Sequence, residues 1–136
     1  MDVTELLEQD HRKVESLFAE YESGQSEDVL ARICDELEVH TTLEEELVYP
    51  RLAELDHDLE QHAESEHEEA KLLIDQIRAG DPDVPTLARQ LQMAVEAHVR
   101  EEEGRAFPLL REQMGAELQT IGDEVARRKE QLTRAS

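Results

Sequence analysis

The chain has no tryptophan, one cysteine, two phenylalanines and two tyrosines among 136 residues. A core so poor in rings must be built mostly of Leu, Val, Ala and Ile, which suits helix packed on helix better than a sandwich. The lone Cys34 permits no internal disulfide and no thiolate cage. Any metal would therefore be held by nitrogen and oxygen, and a reducing compartment fits. Five glycines and four prolines leave room for few turns. Basic residues are also scarce: 14 Lys and Arg stand against 35 Asp and Glu, a formal net charge of −21. That excess opposes a phosphate backbone or an anionic membrane surface, so neither nucleic acid nor membrane is an expected partner. No stretch approaches the ~18 apolar residues of a membrane span, and the opening MDVTELLEQDHRK lacks the basic and apolar regions of a signal peptide. A soluble, cytoplasmic protein is the expectation, and nothing identifies a protein partner.

What is present is a thin aliphatic core. Leu, Ile, Val and Phe make up about 24% of the chain, above the level where disorder becomes the default. The spacing predicts four long helices. The first begins at Asp2, paired with Glu5 as a capping box, and runs to about Tyr21 with Leu7, Val14, Phe18 and Tyr21 on one stripe. The second starts with Ser26 as N-cap, carries Leu30, Ile33, Leu37 and Leu47, and should kink or end near Tyr49 because of Pro50. The third runs from about Asp58 to Ala79, stopped by Gly80 and AspProAspValPro. The fourth opens near Pro85, with Pro108 as a kink inside its pattern. The expected fold is all-α: an up-down-up-down four-helix bundle over residues 1–112, with a short additional C-terminal helix in a 113–136 tail packed on it.

The second and fourth helices share an internal repeat. HTTLEEELVYPRL at 40–52 and HVREEEGRAFPLL at 98–110 have in common the His, two Glu, an aromatic, the Pro and a Leu. In both, the apolar series runs straight through a His-x-x-x-Glu pair: His40 and Glu44 fall between Leu37 and Leu47, and His98 and Glu102 between Val95 and Ala106. His11 lies on the first stripe between Leu7 and Val14, and His67 on the third between Ala63 and Ala70. Each helix thus turns one histidine inward. Burying these groups unpaired would cost several kcal/mol for each ion, a large share of the roughly 5–15 kcal/mol such a domain has. Neutral imidazole with carboxylate and no thiolate suits iron or manganese, while zinc or nickel would accept the same donors. One inward histidine is more often a hydrogen-bonded core residue than a ligand; the coincidence across four helices points to a shared ion.

Other polar residues receive blander readings. Glu45, Glu46, Glu101 and Glu103 are expected on a solvated face, and His57 and His62 on the surface. Asp10 could hydrogen-bond a ligand or face water. Tyr49 and Phe107 are expected as core plugs, with Tyr49 also able to orient or join a ligand. Cys34 is expected to serve packing.

Together AspHis at 10–11, His40xxxGlu44Glu45 leading to TyrPro, GluHis at 66–67 and His98xxxGlu102 leading to PhePro resemble the hemerythrin-like (HHE) domain over about residues 4–111. The resemblance implies a non-haem di-iron centre in which Glu44 and Glu102 bridge, His11 and His40 cap one iron, and His67 and His98 the other, with Mn or Zn as possible substitutes. Oxygen-carrying hemerythrins place two histidines four apart on the third helix, whereas here the positions four from His67 are Ala63 and Lys71. With Tyr49, His62 or Glu66 as candidates to fill that gap, the resemblance implies reaction with a small oxidant: hydrogen peroxide breakdown or O2/NO binding. A reversible sensor or iron reservoir without turnover is the alternative.

Overall fold

The computed structural model describes residues 1–135, and among them every regular element is helical. Helix α1 (Val3–Gly24) is opened by the expected capping box: Asp2 accepts from the Glu5 N–H while the Glu5 carboxylate accepts from the Asp2 N–H. It stops where Gln25 turns left-handed at φ 50°. Helix α2 (Glu27–Leu43) is capped by Ser26, α4 (His57–Arg78) by Asp56, and α5 (Val84–Glu101) by Asp83, each side chain satisfying a first-turn N–H that the helix itself leaves unpaired. The two-residue and one-residue links at 25–26 and 56 force chain reversals. α1 accordingly packs on α2, and the segment ending at Leu55 on α4; the link at 79–83 likewise returns α5 along α4.

The irregularity expected at each proline takes the form of a π-turn. Pro50 does not end the second helix; the backbone widens into a π-turn, Glu44–Val48, in which the Tyr49 N–H bonds to the Glu44 carbonyl, and then continues as α3 (Tyr49–Leu55). Pro108 is absorbed in the same way by Glu102–Ala106, followed by α6 (Phe107–Met114). A proline lacks the N–H that closes an α-turn, and its ring clashes with the carbonyl four residues back; one extra residue per turn relieves both. Both π-turns begin at the glutamate of a His-x-x-x-Glu pair.

The tail helix is not short. α7 (Glu117–Ala135) has 19 residues and lies against α1 and α2, where Leu118 and Val125 join the core. At Gly122 the helix meets the chain start so closely that an added Cβ would sit 2.3 Å from the Met1 carbonyl oxygen.

The apolar interior is split in two. One cluster holds Leu7, Leu43, Tyr49, Ala63, Ala106 and Phe107, and the other Val14, Leu37, Ala70 and Leu91. His11, His40, His67 and His98 each stand on their helix between a residue of one cluster and a residue of the other, forming a polar layer across the bundle.

Candidate metal centre

All six residues singled out by the helical stripes are buried in that layer: His11, His40, Glu44, His67, His98 and Glu102. Donor atoms of Glu44, His67, His98 and Glu102 lie within 4.8 Å of one another, as do those of His11, His40 and Glu102. Glu44 Oε1 is 3.0 Å from His40 Nε2 and 3.2 Å from His67 Nε2. Glu102 Oε1 is 3.1 Å from His11 Nε2, and its Oε2 is 3.2 Å from His98 Nε2. Each carboxylate therefore reaches histidines of both pairs.

The outer nitrogens decide the protonation of the inner ones. His11 Nδ1 faces Glu103 at 2.7 Å, His40 Nδ1 faces Asp10 at 3.2 Å, His67 Nδ1 faces Glu45 at 2.7 Å, and His98 Nδ1 faces Glu66 at 2.8 Å. An ionised carboxylate only accepts, so each Nδ1 donates and each neutral ring presents a lone pair at Nε2. Lone pairs of four imidazoles and two carboxylates thus converge, and among the described residues the Tyr49 hydroxyl is the one non-imidazole donor among them. It donates to Glu102 Oε2 at 2.8 Å and lies 2.9 Å from His67 Nε2 and 3.3 Å from His98 Nε2.

Without a cation such a set must hold protons instead. Burial pulls the His40 pKa down, but the Glu44 charge and the Asp10 hydrogen bond overcome it and push it up to about 10. His98 is raised well above its ordinary value in the same contest, between burial and the Glu102, Glu44 and Glu66 carboxylates. Burial raises Glu44, yet His40 and neighbouring hydrogen bonds hold it well below the usual carboxylate range. Tyr49 is driven well above 10 by burial and by Glu44 and Glu102, so its proton stays on at neutral pH. Even so, His40 Nε2 and Glu44 Oε2 are buried with no hydrogen-bond partner. A buried imidazole nitrogen and a buried carboxylate oxygen left unsatisfied where so many lone pairs converge fit a bound cation, which takes the place of the protons.

Two glutamates stand elsewhere than expected: Glu45 and Glu103, expected on a solvated face, orient His67 and His11. Glu66, one of the three candidates for the gap, faces His98 Nδ1. The signal was adjacency: each stands next to an inward residue of its own helix, as Asp10 does. Glu46 and Glu101 are outside the site, paired with Arg128 and Arg105. His57 and His62 are exposed, as expected. Of the candidates for the gap, Tyr49 is the one whose side chain enters the donor set. Its repeat counterpart Phe107 stacks on His11, with ring centroids 5.8 Å apart.

The sequence matches the hemerythrin HHE cation binding domain over residues 2–131. The chain belongs to the hemerythrin HHE family. The likeness extends to a crystal structure of an HHE cation binding domain-containing protein from Mycobacterium kansasii, 24% identical, which superposes with a TM-score of 0.86 over 99% of this chain and 89% of that one. This HHE domain is also 31% identical over 125 residues to a DNA nickase of Nostoc sp. (strain PCC 7120 / SAG 25.82 / UTEX 2576), covering 86% of its own length and 36% of the relative's. No described helix of the HHE domain is long and apolar enough to cross a membrane.

Proposed function

We propose that this HHE domain holds two non-haem iron ions and reacts with a small oxidant, with hydrogen peroxide breakdown as its activity. The observation that carries the reading is the convergence of four Nε2 lone pairs on Glu44 and Glu102, with every Nδ1 already committed to an outer carboxylate. His11 and His40 would hold one ion, His67 and His98 the other, and Glu44 and Glu102 both. Manganese or zinc would fit the same donors. An iron pair supplies one-electron redox steps and Lewis acidity toward a bound oxidant.

The remaining chemistry belongs to the chain. A cavity of about 30 Å³ abuts the four histidines and is walled by Val14, Leu37, Ala70 and Val95. That volume suits a guest the size of water or dioxygen. Tyr49 keeps a proton one hydrogen bond from the donors, and Glu102 Oε2 accepts that bond. Peroxide cleavage needs a proton at the site, whereas reversible gas binding does not. The aliphatic cavity wall favours the second reading, reversible binding of O2 or NO, with an iron reservoir as its non-reacting form. We place the domain in the cytoplasm on its single buried thiol. Nicking of DNA belongs to the name of a relative mostly outside the match, and a net charge of −21 repels a phosphate backbone.

The test is metal quantitation on the purified protein, followed by anaerobic mixing of the iron-loaded form with hydrogen peroxide. Oxygen evolution over many turnovers is expected. A single stoichiometric spectral change would instead establish the binder, and absence of iron, manganese and zinc after loading would overturn both.

A further inference from the structure

Behind the carboxylates lies a layer of basic side chains. Arg12 pairs with Glu103, Lys71 with Glu45 at 3.0 Å, and Lys129 with Asp10 at 2.5 Å, while His62 stands 3.5 Å from Glu66. Arg12 and Lys71 sit beside or one turn from the histidine they serve. Lys129 differs: it comes from α7, a helix without any of the six donors. It clamps Asp10 of α1, which in turn holds His40 of α2. Its placement is set by the backbone, because Gly122, two turns earlier on the same face, rests against the Met1 carbonyl with no room for a Cβ.

We propose that Lys129 is a positioning residue for the metal centre: by fixing Asp10 it aims His40 Nε2 at Glu44, and so couples docking of α7 to cation binding. The inference rests on the metal reading of the site. Asp10 is 8% exposed; its Oδ1 goes to Lys129 and its Oδ2 to His40. Removing Lys129 leaves Oδ1 buried and unpaired, so the carboxylate turns toward water and releases the His40 ring. The opposing effect, relief of repulsion between the ammonium and a bound cation, is weaker, because the Lys129 side chain is 38% exposed and screened by solvent. Coupling of this kind is reciprocal, so cation binding also tightens α7.

The test titrates Co(II) alone into the metal-free full chain, read by visible absorption and calorimetry, for wild type, Lys129→Met, Lys129→Arg, Asp10→Asn, Arg128→Met and the Asp10→Asn/Lys129→Met double variant. Lys129→Met should weaken Co(II) binding about tenfold, the lower end of what removal of an outer-shell partner costs. Lys129→Arg should restore it, and the substitution should add nothing once Asp10 is Asn. Arg128→Met, which removes α7's surface pair with Glu46, should leave affinity unchanged. Co(II) should slow hydrogen exchange along α7 in wild type and not in Lys129→Met. Unchanged or tighter binding by Lys129→Met, additivity with Asp10→Asn, or an equal loss in Arg128→Met would overturn the inference. Failure of wild type to bind Co(II) would bring down the metal reading itself, and the inference with it.

Discussion

Replacing Glu44 by Gln removes a charge and keeps the shape, at a residue that is 0% exposed and touches three of the four inner imidazoles. In the metal-free protein the Glu44 carboxylate is the counter-charge for protonated His40. The His40 pKa is raised to about 10 in the folded state from 6.5, so its contribution is complete below pH 6.5 and lost as the pH rises through about 10. The Glu44 pKa is lowered from 4.5, so its contribution is complete above that value and lost as the pH falls through the folded pKa. The pair therefore stabilises most between pH 4.5 and 6.5. Removing one partner of a buried pair costs about 3–5 kcal/mol, against a total of about 5–15. For a domain of this size the midpoint should fall by roughly 10–20 °C. Calorimetry of both proteins in EDTA across a pH series measures the gap, which should be largest near pH 6 and shrink toward pH 10. A gap below about 1 kcal/mol, or one that stays flat with pH, would refute the role of Glu44 as counter-charge to His40. Metal loading of Glu44→Gln should drop as well, and full loading would refute its role as a donor.

Tyr49→Phe makes the first half of the repeat like the second, since Phe107 already stands at the equivalent place. Iron loading should survive, while peroxide turnover falls at least tenfold and the metal-free protein loses about 1.5–3 kcal/mol from the lost bond to Glu102. Val95→Phe fills the cavity without replacing a donor, so metal content should stay constant while the rate of reaction with peroxide or NO collapses in stopped-flow measurements; an unchanged rate would place the entry route elsewhere. Gly122→Ala drives a Cβ into the Met1 carbonyl and should destabilise the chain by about 1–3 kcal/mol in urea unfolding, in spite of the better helix propensity of alanine. A stability gain would mean that α7 docks with more room than the backbone contact allows.

The inward histidines and glutamates were legible because helical periodicity is a local rule, and Leu7, His11 and Val14 or Ala63, His67 and Ala70 obey it without help from the rest of the chain. The partners of those histidines were not. Glu103 lies 92 residues from His11, and Glu66 32 residues from His98, so their pairing depends on how the helices pack and leaves no trace in either segment. Glu45 was misjudged for a second reason. A regular α-turn carries the residue after Glu44 away from the core, and the π-turn that begins there changes the direction of the residues that follow. The prolines announced an irregularity, but not whether the helix would break, bend or widen. The length of α7 was hidden by its weak hydrophobicity, since few of its residues other than Leu118 and Val125 are needed to hold it in place.

The polar layer between the two apolar clusters works as a partition. Its aliphatic side offers a neutral guest a dry vestibule, while its aromatic side carries one phenol and one phenyl ring. On the proposed function guests and protons would use separate doors, the proton door standing beside His67 and His98. Exchanging the tyrosine and phenylalanine between the two halves would move that door across the molecule and leave the vestibule where it is.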